Sequence, residues 1–326
     1  MKLISELLTL SITLLFSISF GLFAQESNYP NKNIRLVIPF PAAGPTDILG
    51  RVVGQKLSER LGQAVVIENR AGGNGTIGAE LVAKAPPDGY TIMLTTSGVV
   101  TVNPTLTKVQ FDTLRDFIPV IMTSTLSSVL VVNPALGVNS VKDFIQLAKS
   151  KPGLLNYASS GSGSTSHLAM EQFNRMADVK IVRVPYKGAA PAVNDLLSGN
   201  VQVMLMGLTT VLPFIQAGKL TAIGVSSNKP SPVAPNIPTI TGSGLPGFEA
   251  SNWLGFFVPT NTPTNIVNKL NSEIYQIIQL PEVKVKLSKD GFEPVAQNSP
   301  TQFKEFLTGE INRWSKIVKE LAITTE

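Results

Sequence analysis

The sequence predicts an α/β protein of two domains, the second inserted into the first, and three observations carry that prediction. Short apolar strands alternate with amphipathic segments of helical length along nearly the whole chain, which argues for parallel sheets covered on both faces by helices. A length of 326 residues, 43% of them hydrophobic and 15% charged, provides apolar surface for about two cores. The C-terminal third is too poor in strands to build its own sheet, so it must return to the first domain.

Taken in order, Leu7 to Ala24 (LLTLSITLLFSISFGLFA) follows Lys2 and ends on a small residue before Gln25-Glu26-Ser27. That is the pattern of a secretory signal peptide, residues 1–24, cleaved after Ala24. An uncleaved anchor is the other reading of the run, because about 18 such positions nearly span a bilayer. Export places the mature chain in the periplasm. The chain has no cysteine, so neither a disulfide nor attachment through a lipobox cysteine is available. Losing Lys2 and Glu6 leaves the net charge at +5; the lysines are scattered, with no basic stripe interleaved with aromatics, and no nucleic-acid partner is expected.

Ile34 to Pro39 is a buried strand, and Phe40-Pro41-Ala42-Ala43-Gly44-Pro45-Thr46-Asp47 leads into a helix running to Leu61. Strands are expected at Ala64–Glu68, Tyr90–Thr95, Phe117–Thr123 and Val129–Asn133, with a helix over Thr76–Lys84 between the first two. Ser140 with Asp143 forms a capping box for a helix ending near Ser150. Strands at 155–159, 181–184, 201–205 and 220–226 then alternate with helices at 164–176, 188–198 and 208–217. Asn228 to Gly247 carries five prolines and reads as a connecting segment. A strand over Trp253–Val258 and helices over Pro263–Gln279, Pro281–Lys289 and Thr301–Leu321 complete the chain. Residues 25–126 and 250–326 therefore form domain one and residues 127–249 domain two, with crossings near 124–129 and 247–253.

The chemistry concentrates at Tyr157–Phe173 (YASSGSGSTSHLAMEQF), where a strand runs through glycines and hydroxyls directly into a helix. The first amides of a helix lack partners, and the aligned peptide dipoles place about half a positive charge there. Gly161 and Gly163 allow close backbone approach, and Ser159, Ser160, Ser162, Ser164 and Thr165 supply donors; a carboxylate fits such a turn. The plainer reading of the same turn is a capped helix. Phe40 to Asp47 is a second strand, loop and helix unit of the same kind.

Competing chemistries fare worse. Gly73-Asn74-Gly75-Thr76-Ile77-Gly78 has dinucleotide-loop spacing, but no acidic residue closes a following strand where a ribose would need one. With one histidine and no cysteine, zinc and thiol chemistry are closed. His167 near Ser162 and Ser164 invites a hydrolase reading, yet no GxSxG elbow is present and helical spacing turns His167 along its own element. It reads better as a capping or ligand-adjacent residue, and no catalytic group, metal or cofactor is expected.

Five segments resemble, in order and with compatible spacing, the Bug family of extracytoplasmic solute receptors, the binding components of tripartite tricarboxylate transporters. They are YPNKNIRLVIPFPAAGPTD, VIENRAGGNGTIGAELVAKAPPDGYT, LNYASSGSGSTSHLAMEQF, VPYKGAAPAVNDLLSGNVQVM and IQAGKLTAIGVSS. The resemblance implies a two-domain α/β type II periplasmic-binding-protein (Venus flytrap) fold that holds a small carboxylate between two loops as a monomer. It implies transient contact with membrane transporter subunits; a sensory receptor or a hydrolase are the alternatives. The implied ligand contacts are Phe40, Ala42, Ala43, Gly44, Thr46 and Asp47 in domain one, Ser159 to Thr165 with His167 in domain two, and a further loop around Thr95, Ser97 and Gly98. Three charge-assisted bonds supply about 4.5–9 kcal/mol and a micromolar affinity needs about 8 kcal/mol, so closure over the rest of the ligand must add contacts.

Two departures bear on specificity. Ala43-Gly44 stands where many relatives have Gly-Gly, which reduces backbone access. Met206-Gly207 stands where relatives commonly have Asp-Asn, which removes a partner for a ligand ammonium. The expected ligand is a carboxylate without an amino group, its remaining part apolar or aromatic and packed near Met206.

Overall fold

A computed structural model describes residues 29–161 and 163–320; the signal-peptide segment and Ser162 lie outside them. Among the described residues no helix is long and apolar enough to cross a membrane. The strands are β1 (Ile34–Ile38), β2 (Val65–Asn69), β3 (Thr91–Thr96), β4 (Phe117–Leu126), β5 (Ser128–Val132), β6 (Asn156–Ser159), β7 (Val182–Pro185), β8 (Val203–Gly207), β9 (Thr221–Val225), β10 (Asn252–Pro259) and β11 (Phe292–Pro294). The helices are α1 (Pro45–Leu61), α2 (Thr76–Ala83), α3 (Val141–Ser150), α4 (Thr165–Ala177), α5 (Ala189–Ser198), α6 (Leu208–Gln216), α7 (Thr264–Gln279), α8 (Pro281–Lys289) and α9 (Pro300–Glu320), with shorter turns between them.

The strands form two sheets, ordered β11-β4-β10-β3-β1-β2 and β7-β6-β8-β5-β9. Both are mixed, where strict β/α alternation predicted parallel sheets. β1 pairs parallel to β2 and β3, whereas β10 runs antiparallel to β3 and β4. In the second sheet β6 is parallel to β7 and β8, whereas β5 is antiparallel to β8 and β9. β11 is reversed too, antiparallel to β4 at the sheet edge. The other two reversed strands, β5 and β10, are the ones by which the chain passes between sheets: β4 gives way to β5 across Ser127 alone, and such an arriving strand enters from the end at which its neighbours finish.

The extended connection 226–251 brings the chain back, and β10, β11 and the last three helices pack on the first sheet. Each sheet has its own apolar packing. Leu36, Ile38, Leu94, Phe256 and the inner faces of α1 and α7 fill one side of the first, and Trp253, Phe257 and Phe303 fill the other with edge-on and tilted ring contacts at 5.4–6.5 Å. Phe144, Tyr157, Phe173 and Phe248 pack beneath the second sheet. A small cluster of Val102, Leu168, Trp314 and Val318 joins α4 to the first-sheet elements.

This topology sets where a ligand can sit. The ends of β1, β3 and β4 and the start of β10 lie along one edge of the first sheet. The ends of β6 and β8 and the start of β5 lie along one edge of the second, where Ser128 pairs with Gly207. The two edges face a common cleft.

Candidate functional site

A cavity of about 380 Å³ lies in that cleft, with Phe40, Pro45, Thr96, Gly98, Val99 and Asn252 from the first sheet's elements and Ser160, Gly161, Gly163 to Ser166 and Met206 to Thr210 from the second's. Leu126, Ser127 and Ser128 line it where the chain crosses, and Asn74, Asn103, Leu205 and Gly291 complete the wall. None of these is an Asp, Glu, Lys, Arg or His, so recognition among the described residues depends on neutral donors, helix ends and apolar contact.

The loop before α4 is shaped by its own hydroxyls. Ser164 caps the helix, its Oγ accepting from the His167 amide at 3.3 Å and donating to the Gly161 carbonyl at 2.7 Å. Ser166 Oγ accepts from the Ser160 amide at 2.9 Å and lies 3.0 Å from both Ser160 Oγ and Ser164 Oγ. Gly161 and Gly163 adopt φ of 136° and 70°, the left-handed region that favours glycine. The Thr165 hydroxyl belongs to a residue that lines the cavity, has no hydrogen-bond partner among the described residues, and is one donor this loop leaves for a ligand.

His167 is buried and does not line the cavity. Its Nδ1 accepts from the Gly163 amide at 3.1 Å, and the Arg183 guanidinium lies against the ring, with Nη1 2.9 Å from Nε2. Burial, aided by the Arg183 charge, pushes the imidazole down to about 4, so the ring stays neutral and holds the glycine loop. In the unfolded chain it titrates near about 6.5. Between these values the unfolded state binds a proton that the folded state does not, so stability falls as pH drops from 6.5 towards 4. Urea unfolding across this range should show that slope for the wild type and a flatter one for His167→Gln.

On the first sheet, Asp47 is buried and faces its own loop rather than the cavity. It accepts from the Ala43 amide at 2.9 Å, Arg51 Nε at 2.7 Å and Asn69 Nδ2 at 3.0 Å. Burial alone would raise its carboxyl, but the bonds from Arg51, Ala43 and Asn69 outweigh burial and hold it below the ordinary carboxylate range. The same interactions keep Ala43 at φ 65°, a conformation that costs an alanine about 1–2 kcal/mol.

Of the residues singled out from the sequence, Phe40, Gly98, Ser160, Gly161, Gly163, Ser164, Thr165, Met206 and Gly207 come together on the wall. Ala42, Ala43, Gly44, Thr46, Asp47, Thr95, Ser97, Ser159 and His167 lie behind it or beside it. Thr95 and Ser159 are fully buried because their side chains point to the other side of the pleat from Thr96 and Ser160. In the glycine-rich turn 73–78 a Cβ on Gly78 would stand 2.7 Å from Pro39 Cβ and 2.9 Å from the Arg70 carbonyl oxygen. This turn packs against protein where a dinucleotide loop would leave room for phosphate, and only Asn74 reaches the cavity.

Thr96, inside the expected contact loop Thr95–Gly98, lines the wall, as do Asn252, Thr209 and Thr210, which were not singled out from the sequence. The helix containing Thr209 and Thr210 was legible; its N-terminus is the third to reach the same cavity, because β8 lies beside β6, an adjacency no local pattern encodes. Gly207 caps α6 without a side-chain bond.

A sequence profile described as "Tripartite tricarboxylate transporter family receptor" matches residues 49–323. Protein BugT of Bordetella pertussis is 36% identical over 315 residues, covering 95% of this chain and 96% of that protein. Among solved structures, an R. palustris protein with adipate superposes with a TM-score of 0.78 at 38% identity, covering 91% of this chain and all of the other. MatC from Rhodopseudomonas palustris with bound malate gives 0.74 at 31% identity, over 89% of this chain and all of the other.

Proposed function

This chain belongs to the tripartite tricarboxylate transporter receptor family, whose members are solute-binding receptors and not enzymes, and from that membership we propose that it captures a small carboxylate in the periplasm and delivers it to a membrane transporter. The observation that carries the reading is the convergence of helix N-termini from both sheets, at Pro45, Thr165 and Leu208, on a cavity walled by neutral groups. Such ends attract an anion without a counter-cation. Residues 25–126 with 250–326 act as one lobe and 127–249 as the other, closing over the ligand about the two crossings. Adipate and malate, held by the relatives above, are the first compounds to test.

Thermal-shift screening of the purified protein against mono-, di- and tricarboxylates, followed by calorimetry, tests the proposal. Stoichiometric binding of a carboxylate recovered unchanged is the expected result. Binding of sugars or cations with no response to any carboxylate would sink it. The glycine-hydroxyl loop is taken as the main anchor, because the loop after β1 contributes prolines that lack donors. Ser160→Ala and Thr165→Ala should each weaken binding by about 1–2 kcal/mol, within the usual range for one bond to a charged partner. Unchanged dissociation constants in folded variants would place the anchor elsewhere.

A further inference from the structure

We propose that Asn252 reads the far end of the ligand, selecting acids that carry a second oxygen acceptor over those that end in methyl or ammonium. The inference rests on the carboxylate-binding reading above and specifies what the same cavity does with the rest of the molecule. Asn252 begins β10 and pairs across the sheet with Leu126, the last residue of β4. It therefore stands on the cavity wall beside the crossing of the chain between sheets.

Its orientation is set by a neighbour. The Ser97 hydroxyl, from a buried residue just after β3, donates to Asn252 Oδ1 at 2.6 Å. That bond turns the acceptor end of the amide toward Ser97, and Nδ2 is left as a pair of N–H donors with no acceptor among the described residues. A donor at a cavity wall with no protein partner is satisfied by water or by a ligand oxygen, and a ligand that offers neither oxygen nor water leaves it unpaired.

The strand order sets the reach. β6, β8 and β5 are successive neighbours in one sheet, as are β1, β3 and β10 in the other. Strands lie about 4.8 Å apart, so two steps separate the anion loops after β1 and β6 from Asn252 and Ser128 by about 10 Å. Between them the wall carries Val99, Leu205 and Met206, which suit a short methylene chain. The loop before α4 thus lies two strands from Ser128, and Ser128 is two residues along the chain from Leu126, the partner of Asn252 across the first sheet, so an acid anchored at that loop presents its other end to Asn252. An ammonium there would meet N–H donors, and no wall residue bears a carboxylate to offset its charge.

Three probes of matched length separate the possibilities: adipate, hexanoate and 6-aminohexanoate, titrated calorimetrically into the full protein. Wild type should bind adipate at least tenfold tighter than hexanoate and 6-aminohexanoate least well. Asn252→Leu should reduce the adipate-to-hexanoate ratio to near one with hexanoate binding retained, which a general structural defect would not do. Asn252→Asp should invert the order, losing adipate and admitting 6-aminohexanoate. Ser97→Ala, which frees the amide to rotate, should lower the adipate preference without abolishing binding. A wild-type ratio near one, a ratio unchanged by Asn252→Leu, or no binding of adipate while other carboxylates bind would overturn the assignment. Failure of every carboxylate in the wider panel would instead overturn the parent reading.

Discussion

Asp47→Ala should lower the unfolding free energy by about 1–3 kcal/mol, because it removes an acceptor shared by three donors in a part-buried loop, and water can only partly replace it. The donors left behind are the Ala43 amide and Asn69 Nδ2, which also donates to the Phe40 carbonyl at 3.1 Å. With the carboxylate gone, nothing holds Ala43 at its positive φ, and the loop carrying Phe40 and Pro45 to the cavity loosens. Carboxylate binding should weaken along with stability. Asp47→Asn removes the charge but keeps an acceptor, so it should fall between alanine and wild type. The folded-state carboxyl titrates below the ordinary range. Its stabilisation is therefore fully present above the unfolded value of about 3.9 and is lost as pH falls through the folded value. Urea unfolding at pH 7 and pH 3 checks this: the gap between wild type and Asp47→Asn should narrow at the lower pH. A gap that stays constant would show that the carboxylate is not what holds the loop.

Gly291→Ala should weaken carboxylate binding at least tenfold. Gly291 leads into β11 of the first sheet and lines the cavity opposite α6 of the second. A Cβ there would stand 2.1 Å from Thr209 Cγ2, and the residue sits at φ 78°. Left-handed backbone costs an L-residue about 1–2 kcal/mol, and the overlap must also push the two lobes apart. Thr209→Ser deletes the overlapping methyl and keeps the hydroxyl. In the double variant it should recover the part of the loss that comes from lobe separation and leave the backbone part. Calorimetry on the two single variants and the double forms a complete cycle. Additive losses, with no recovery, would mean that the contact does not set the approach of the lobes.

Nearby, Glu293 accepts from Ser127 Oγ at 2.7 Å and Ser231 Oγ at 2.6 Å, tying β11 to the crossing and to the connection after β9. The C-terminal helix adds the Arg175–Glu320 ion pair and the contact of Trp314 with Leu168. These contacts join the last third of the chain to the middle third, and none is visible as a sequence pattern.

What the sequence by itself determined was local. Apolar periodicity placed the predicted strands and major helices to within a residue or two, except that β4 runs three residues past the expected Thr123, to Leu126 on the cavity wall. Ser140 caps its helix as read, its hydroxyl accepting from the Asp143 amide at 3.1 Å, but the return bond of a capping box is replaced by the hydroxyl donating to Asp143 Oδ2 at 2.7 Å. The turn Ser159–Thr165 emerged as a capped helix entrance beside a cavity, because glycines, hydroxyls and a following apolar stripe act over a few residues. The short strand Phe292–Pro294 escaped notice, since three residues carry no period and pair only because β4 offers them an edge.

Tertiary structure decided the rest. Strand direction depended on which strands cross between sheets and on the edge that β4 offers β11, so the mixed character of both sheets was not legible. Side-chain exposure at the loops depended on pleat and packing, which turned Thr95 and Ser159 inward and gave the wall to Thr96 and Ser160. Asp47 looked like a ligand contact; only the fold brought Asn69, 22 residues away, to its second oxygen and made it a brace. Asn252 lies 155 residues from the Ser97 hydroxyl that orients it, and only the antiparallel placement of β10 beside β3 brings the two together. Short-range propensities act between neighbours in the chain, whereas a binding cavity is built from contacts between strands that are neighbours only in the sheet.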